Sequence, residues 1–216
     1  MTRILIADDH ALVRKGLRKV LEDRPGWVVC GEAGNGREAV AKTRELKPDV
    51  LVLDFVMPEL NGLEVTRQVR AARPQTEVLI LTMHESEQLA RAVLGAGAHG
   101  FVLKSDASTT LVTAVKRLSQ HRPFFTAKVS HLVLDYDQHP VVSAGEKQPA
   151  GDRLTARERE IVQLIAEGRA SKQVADVLGI SVKTVDTHRA NLMRKLSIHS
   201  VSELVCYAIR ENIAAP

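Results

Sequence analysis

The sequence has few cysteines, few aromatic residues and no long apolar run. The two cysteines, Cys30 and Cys206, lack C-x-x-C spacing, and the eight histidines lack a metal-ligand spacing such as H-E-x-x-H. We therefore predict buried, inert thiols and no structural metal site. The longest apolar runs, such as Val50 to Leu53, are far shorter than the roughly 18 to 20 residues that cross a bilayer, so we expect no membrane segment.

The N-terminus also lacks the charged and then apolar leader of a secreted protein, which predicts a cytoplasmic location. The 216 residues suit two domains, and 44% apolar with 26% charged residues is the composition of an ordinary globular protein. The net charge is +2 over residues 1–120, −1 over 121–152 and +3 over 153–216. The densest positive charge is therefore C-terminal, where it is compatible with a nucleic-acid partner.

Residues 1–120 alternate short β-rich runs with amphipathic helical stretches, which is the pattern of a parallel sheet covered by helices on both faces. Each interval between strand starts fits one βα unit. The predicted strands are Arg3 to Ala7, Val28 to Ala33, Val50 to Asp54, Glu77 to Thr82 and Gly100 to Leu103. We predict an α/β domain with a doubly wound, flavodoxin-like sheet of five parallel strands in the order 2-1-3-4-5.

A change of pattern near residue 121 indicates a linker and a second domain. Ala127 to Tyr136 could form a short helix, and residues 138–152 contain two prolines and two glycines without apolar periodicity. Four helical segments follow, with start and stop signals at Thr155, Gly168, Ser171, Gly179, Ser181 and Ser200. We predict a linker over residues 121–152 and a small all-α, four-helix domain over 153–216, whose second and third helices form a helix-turn-helix.

Polar residues stand at the predicted carboxyl ends of four strands. Asp8 and Asp9 follow the first strand, Asp54 ends the third, Thr82 ends the fourth and Lys104 follows the fifth. Each has a simpler explanation alone; Asp8 and Asp9, for example, could cap the next helix. In a doubly wound sheet, however, the crevice at these strand ends is where ligands bind, and three converging carboxylates require a cation. Mg²⁺ is the cation that this oxygen set suits.

The residue types point to phosphoryl transfer. An aspartate carboxylate can attack a phosphoryl group as a nucleophile while a metal ion and a lysine neutralise the transferring oxygens. Asp54 is the central candidate for that nucleophile. Asp8 and Asp9 would hold Mg²⁺, Lys104 would pair with the phosphoryl group, and the Thr82 hydroxyl would donate to one of its oxygens.

The segments ADDH, LDFVMPELNG, LTMHE and GAHGFVLKSD resemble the receiver domain of two-component response regulators over residues 3 to about 120. The resemblance implies that Asp54 accepts phosphate from a sensor histidine kinase and that the main-chain carbonyl of Val56 also binds the metal. It implies too that Phe101 changes rotamer together with Thr82. Val56 and His84 match family positions that tune the phosphate lifetime.

The third C-terminal helix carries the candidate DNA-binding residues. At 100° per residue, Val185, Leu192 and Leu196 lie on its core side, and the exposed side and its borders carry polar and basic residues. Four basic residues against Asp186 give this helix a net charge of +3, enough for contacts to DNA phosphates. The candidates are Lys183, Thr184, Thr187, Ala190, Asn191, Arg194 and Lys195. A solvated basic face on an ordinary small bundle would show the same charge.

The segment VADVLGISVKTVDTHRANLMRKL, with the upstream LTARERE, is similar to LuxR-type DNA-binding domains of the NarL/FixJ regulators over residues 153–213. That resemblance implies sequence-specific binding to double-stranded DNA by the third helix, and a dimer contact from the fourth. It implies a transcription regulator that forms a homodimer when phosphorylated, with RNA polymerase as a possible further partner, rather than a metabolic enzyme. Asp186 departs from the family pattern, since many relatives have a basic residue there, which puts a base contact at this position in doubt.

Two other classes compete with a response regulator. An aspartate-nucleophile phosphatase needs a second acid two residues after the nucleophile, where this sequence has Val56. A ligand-sensing activator with the same DNA-binding domain would need a small-molecule pocket, for which seven aromatic residues are few, and it would leave the strand-end acids unexplained.

Overall fold

The structure is a computed structural model, and it describes residues 1–126 and 154–214. The chain divides into two compact units, Met1–Val141 and Val142–Pro216, each of which is described by itself. The helix predicted over Ala127 to Tyr136 lies outside the described residues, as does most of the predicted linker. The predicted linker limits at 121 and 152 therefore stay predictions.

The N-terminal unit is built on a parallel sheet in the order β2-β1-β3-β4-β5-β6. Its strands are β1 (Thr2–Ala7), β2 (Trp27–Ala33), β3 (Val50–Asp54), β4 (Glu77–Thr82), β5 (Gly100–Leu103) and β6 (Phe124–Phe125). The α/β class and the order 2-1-3-4-5 of the first five strands are confirmed. Strands β3, β4 and β5 are fully buried, as expected of central parallel strands with a covered face on both sides.

The prediction of five strands is wrong by one, because a sixth short strand pairs with β5. Phe124 is opposite Gly100 and Phe125 is opposite Phe101 in this pair. The sequence placed both phenylalanines in the linker, since two residues are too few to show the alternation that marks a strand. Their half-buried rings pack against the two core clusters on opposite faces of the sheet, and this packing holds the segment at the sheet edge.

The helices of this unit cover both faces of the sheet, and the start of α3 packs against the end of β3 at Asp54. The helices are α1 (Ala11–Glu22), α2 (Gly36–Leu46), α3 (Gly62–Ala72), α4 (Glu87–Gly95) and α5 (Ala107–Leu118). Asn61 caps α3, and a Cβ on Gly62 would lie 2.9 Å from the main-chain oxygen of Asp54. A side chain at residue 62 would thus push α3 away from the end of β3. This glycine lets the loop that follows Asp54 fold tightly over that strand end.

Over residues 154–214, the part that the structure describes, the C-terminal unit has four helices, as predicted. They are α6 (Ala156–Ala166), α7 (Ser171–Leu178), α8 (Val182–Leu196) and α9 (Val201–Arg210). Thr155 and Glu158 form the predicted capping box of α6, and Ser181 caps α8. Gly179 ends α7 in the left-handed conformation that glycine adopts without strain, so α7 and α8 are joined by a short turn. The predicted helix-turn-helix is therefore present.

The core of the C-terminal unit also explains how α8 is oriented. Val185 and Leu192 are fully buried against α6, α7 and α9, and Leu196 packs partly on the same cluster. The predicted core side of α8 is confirmed, so its opposite side faces solvent.

The prediction of two buried thiols is wrong. Cys30 is half-buried in β2, whereas Cys206 is exposed on α9, and both are free. Cys206 precedes the buried Tyr207 and Ala208, which face the core instead. Within residues 1–126 and 154–214, none of the helices has the length and apolar character needed to cross a membrane.

Candidate functional site

The three predicted acids meet at the carboxyl ends of β1 and β3, which are neighbours in the sheet. Asp54 is the last residue of β3, and Asp8 and Asp9 directly follow β1. Single ligand atoms of Asp8, Asp9, Asp54 and His10 all lie within 4.8 Å of one another. Asp8 and Asp54 are buried, at 1% and 5% exposure, whereas Asp9 is exposed to solvent. The crevice therefore holds two fixed acids and a third at its mouth.

Lys104 joins the two buried acids. It begins the single 3₁₀ turn after β5, and its Nζ donates to Oδ2 of Asp54 at 2.7 Å and to Oδ2 of Asp8 at 2.8 Å. Burial lowers the pKa of this ammonium, but the two carboxylates outweigh that effect and the pKa ends above its ordinary value. Lys104 is therefore a fixed positive charge at the strand ends.

The carboxyl of Asp54 is held in an environment that favours its neutral form. Burial raises its pKa to about 6 and the nearby charge of Asp8 adds to this, although Lys104 and the main-chain N–H of Val56 act in the opposite direction. A pKa far above the ordinary aspartate range, in a cleft with a specific charge partner, is typical of a functional carboxylate.

Asp8 and Asp9 do not cap the following helix. The N-cap of α1 is His10, whose side chain makes no capping hydrogen bond. Oδ1 of Asp8 accepts from the main-chain N–H of His10 at 2.8 Å, and Nδ1 of His10 lies 2.7 Å from Oδ1 of Asp9. The helix-cap explanation is thus excluded, and both acids face the crevice. Sequence reasoning missed His10, although its place directly after two acids was the available signal.

The other predicted residues lie around this crevice. Thr82 ends β4 and is fully buried, and its hydroxyl oxygen accepts from the main-chain N–H of His84 at 3.0 Å. Val56 follows Asp54 by two residues, and its N–H lies 3.4 Å from Oδ1 of Asp54. Phe101 is 1% exposed in β5, between Ile80 of β4 and Phe125 of β6.

All seven candidate DNA-binding residues are exposed on α8. They are Lys183, Thr184, Thr187, Ala190, Asn191, Arg194 and Lys195. Arg194 donates to Oδ1 of Asn191 at 3.0 Å, and the Thr187 hydroxyl donates to the main-chain oxygen of Lys183 at 2.8 Å. The face opposite the core is thus a polar, positively charged surface on the second helix of a helix-turn-helix.

Two charges of α8 have partners on neighbouring helices, which the sequence did not indicate. Lys195 donates to Oε2 of Glu158 on α6 at 2.8 Å, and Asp186 accepts from the hydroxyl of Ser171 on α7 at 2.8 Å. The effective charge on the open face is therefore carried mainly by Lys183 and Arg194. Asp186 lies beside the start of α7, where an acid is favoured by the helix dipole.

Comparison with known families assigns both units. Residues 4–116 match the model of the response regulator receiver domain, and residues 152–208 match the model described as bacterial regulatory proteins, luxR family. Each match covers one of the two units described above.

The chain is similar over nearly its full length to several curated proteins. It is 35% identical over 213 residues to the transcriptional regulatory protein LiaR of Bacillus subtilis, with 99% of each chain covered. It is 37% identical over 213 residues to the oxygen regulatory protein NreC of Staphylococcus haemolyticus, and 33% identical over 211 residues to the response regulator protein VraR of Staphylococcus aureus. Each of these two alignments covers 98% of both chains.

Solved structures give the same result. The RcsB response regulator of Salmonella typhimurium is 29% identical, with a TM-score of 0.63 over 95% of this chain and 96% of that one. A structure of the RcsB–DNA complex has a TM-score of 0.57 with the same identity and coverage. A strand-end acid cluster beside a half-buried lysine, in one chain with a helix-turn-helix, defines the class of response regulators that bind DNA. The chain belongs to the NarL/FixJ-type response regulators, which join a receiver domain to a LuxR-type DNA-binding domain and regulate transcription in two-component systems.

Proposed function

We propose that the chain is switched by phosphorylation of Asp54, which receives its phosphoryl group from a sensor histidine kinase. The observation that carries the proposal is the placement of the Asp54 carboxylate at the end of β3, buried and 2.7 Å from the ammonium of Lys104. The nucleophile and the cation that would neutralise the incoming phosphoryl group are thus already adjacent.

The chemical step is an in-line displacement at phosphorus. A carboxylate oxygen of Asp54 attacks the phosphorus of the kinase phosphohistidine, a P–O bond forms, and the P–N bond breaks. The electron pair of that bond stays with the imidazole nitrogen, and the product on this chain is an acyl phosphate. Lys104 pairs with one phosphoryl oxygen and the Thr82 hydroxyl donates to another. The chain's only reaction is on its own Asp54, which fits a regulator and not a metabolic enzyme.

The acid cluster fits Mg²⁺ as the required cation. The donor set is made of carboxylate oxygens on Asp8, Asp9 and Asp54, with the Val56 carbonyl as the expected fourth protein ligand. Burial is the main cause of the raised pKa of Asp54, with a smaller contribution from the charge of Asp8, and a bound cation would offset both effects. Bound there, Mg²⁺ supplies positive charge to the phosphoryl oxygens as charge builds up in the transition state.

Phosphorylation would act through the region of Thr82 and Phe101. The phosphoryl group adds about −1.5 to −2 charge at Asp54, which draws Thr82 and Lys104 toward it. Movement of Thr82 leaves space that the buried Phe101 ring fills in a second arrangement, on β5 next to the edge strand β6. To reverse a 1:99 equilibrium completely, roughly 5.5 kcal/mol of differential stabilisation is needed, which a buried acyl phosphate paired with Lys104 and Thr82 would supply. The favoured state is a homodimer.

The output is sequence-specific binding to double-stranded DNA by α8. In this proposal the receiver, predicted over residues 1–120, extends through β6, the rest of residues 121–152 is the linker and residues 153–216 are the DNA-binding domain. Lys183 and Arg194 anchor the domain on phosphates, and Thr187 and Ala190 are small enough to meet base edges in the major groove. Two such domains in a dimer suit half-sites about one or two DNA turns apart, next to bound RNA polymerase.

A DNA-binding assay tests the coupling. DNA enriched from a random pool by the phosphorylated wild-type protein would serve as the probe, with Mg²⁺ and acetyl phosphate present or absent. We expect wild type to gain affinity and to bind as a dimer with the phosphodonor, and Asp54→Ala to behave in both conditions like unphosphorylated wild type. Equal affinity and stoichiometry of Asp54→Ala and wild type under phosphorylating conditions would contradict the proposal.

A further inference from the structure

Arg14 on α1 links the acid cluster to the neighbouring strand β2. Its Nη1 donates to the main-chain oxygen of Asp8 at 2.7 Å, and its Nε donates to Oε2 of Glu32 at 3.2 Å. The Arg14 side chain is only 19% exposed. The guanidinium is therefore held by two partners. One of them is the main chain of Asp8, a predicted metal ligand.

The oxygen that Arg14 holds belongs to the peptide group between Asp8 and Asp9. On the other side, the N–H of Asp8 donates to the main-chain oxygen of Ala33 at 3.2 Å, which extends the pairing of β1 with β2 by one residue. These two hydrogen bonds hold the peptide groups on either side of the Asp8 Cα, and the one from Arg14 is the bond that holds the orientation of the Asp8–Asp9 peptide group. The orientation of the Asp8–Asp9 peptide group sets the direction of the Cα–Cβ bond of Asp9. Because Asp9 is exposed, burial does not hold its side chain in place.

Glu32 is a firm anchor for this arrangement. Oε1 of Glu32 accepts from Nε of Arg18 at 2.6 Å, and the Glu32 main-chain oxygen accepts from Nζ of Lys42. The hydrogen bond from Arg18 holds the pKa of the Glu32 carboxyl below its ordinary value, with a smaller contribution from Arg14 in the same direction. Glu32 is thus ionised and fixed, so it can orient the Arg14 guanidinium.

We propose that Arg14 is a positioning residue for the metal site: its contact with the Asp8 main chain holds Asp8 and Asp9 in the geometry that binds the divalent cation. The inference rests on the proposed function, in which these acids hold Mg²⁺ beside Asp54. Arginine suits the position because its rigid fork donates in two directions at once, to a carbonyl and to a carboxylate. Lysine has one nitrogen and keeps one of the two contacts.

The chain offers a matched control in Arg18. It lies one turn further along α1, pairs with the same Glu32, and also donates to Oε1 of Glu22 at 2.7 Å. Both of these partners are carboxylates that lie outside the acid cluster. Arg18→Ala therefore removes the same charge from the same network, while Arg14 keeps its contacts with Glu32 and the Asp8 main chain and Lys42 still holds the main chain of Glu32.

The test measures Mg²⁺ binding to the full-length protein by isothermal titration calorimetry. Removing an outer contact of a metal ligand lowers metal affinity about 10- to 100-fold, so we expect Arg14→Ala to raise the Mg²⁺ Kd at least tenfold. Arg14→Lys should lie between Arg14→Ala and wild type, and Arg18→Ala should stay within about twofold of wild type. At saturating Mg²⁺, Arg14→Ala should react with acetyl phosphate at close to the wild-type rate.

Urea unfolding without Mg²⁺, followed by the fluorescence of the single tryptophan Trp27, separates positioning from stability. We expect Arg14→Ala and Arg18→Ala to lose similar stability and to differ only in Mg²⁺ affinity. Equal Mg²⁺ Kd values for the two variants, or a wild-type Kd for Arg14→Ala, would overturn the inference. If Arg14→Ala does not fold, a wild-type Kd for Arg14→Lys would overturn it instead. Failure of the wild type to bind Mg²⁺ would overturn the proposed function as well, so the two failures are distinguishable.

Discussion

The ammonium of Lys104 lies 2.7 Å from the carboxylate of Asp54, across 50 residues of sequence. The same nitrogen contacts Asp8 at 2.8 Å, so one cation is shared by two buried acids that belong to neighbouring strands. This sharing limits how far burial can raise the pKa of Asp54. It also places a positive charge where phosphoryl oxygens would arrive.

Removing the charge of Lys104 should therefore make Asp54 a weaker acid and a poorer nucleophile. We expect Lys104→Met to move the pKa of Asp54 above about 6 and to slow its phosphorylation by acetyl phosphate about 100-fold, the usual effect of deleting one transition-state donor. Carboxyl-carbon NMR across a pH titration gives the first quantity and mass spectrometry the second. The exposed Lys116→Met is the charge control, and an unchanged Asp54 pKa in Lys104→Met would contradict the account.

Mg²⁺ binding should weaken as the pH falls through about 6. Asp54 must lose its proton to bind a cation, and its pKa in the folded protein is about 6. Below that pH one proton competes with the metal, and the Mg²⁺ Kd should rise about tenfold per pH unit. Calorimetric titrations over a pH series measure this. Asp54→Asn should bind Mg²⁺ weakly, and its Kd should change little over the same pH series. A wild-type Kd that does not change through pH 6 would contradict the role of Asp54 as a metal ligand.

At the opposite end of the sheet, a buried acid should stabilise the N-terminal unit. Glu77 begins β4, and its carboxylate accepts from Nδ1 of His99 and, at 2.7 Å, from Nδ1 of His121. Burial raises the pKa of Glu77, but these hydrogen bonds outweigh it and the pKa ends below its ordinary value. A lowered pKa means that the stabilisation is present above the ordinary pKa and is lost as the pH falls below it.

We therefore expect Glu77→Gln to lower the free energy of unfolding by about 1 to 3 kcal/mol near neutral pH, and by much less in acid below the ordinary glutamate pKa. Urea unfolding followed by the fluorescence of Trp27, which lies in the N-terminal unit, measures both. Glu87→Gln is the matched control, since it breaks an exposed pair with Arg91 that contributes only about 0.2 to 0.5 kcal/mol. A pH-independent effect of Glu77→Gln would show that the histidine pairs do not stabilise the fold.

The fold was largely predictable from the sequence. Three of the five predicted strands have the predicted bounds, and β1 and β2 begin one residue earlier. Buried parallel strands are continuous apolar runs, and their length and spacing fix the βα order. The edge strand at Phe124 and Phe125 was not predictable, because its position depends on main-chain pairing with β5 and on rings that pack into two distant clusters.

The site was predictable in its members but not in its contacts. The strand-end rule brings Asp8, Asp54 and Lys104 together without any structure. No pattern indicates that Arg14 reaches the main chain of Asp8, or that Lys195 is paired with Glu158, because both contacts depend on how separate elements pack. The sequence therefore overestimated the free positive charge on α8.

Removal of Arg194 should weaken DNA binding uniformly. Arg194 is exposed on α8 on the side opposite the core, where a phosphate contact is expected. We expect Arg194→Ala to lower affinity for specific and non-specific DNA alike, and to reduce the slope of log Kd against log salt concentration by about one. The exposed Arg44→Ala on α2 removes the same charge from the other unit and should leave the slope unchanged. Equal slopes for the two variants would remove Arg194 from the DNA interface.

The central claim is that Asp54 accepts the phosphoryl group, and intact-protein mass spectrometry tests it most directly. Wild type, Asp54→Ala and Lys116→Met would be incubated with Mg²⁺ and acetyl phosphate. We predict one phosphoryl adduct on wild type and on Lys116→Met, released by hydroxylamine as expected of an acyl phosphate, and no adduct on Asp54→Ala. An adduct of equal yield on Asp54→Ala would contradict the account.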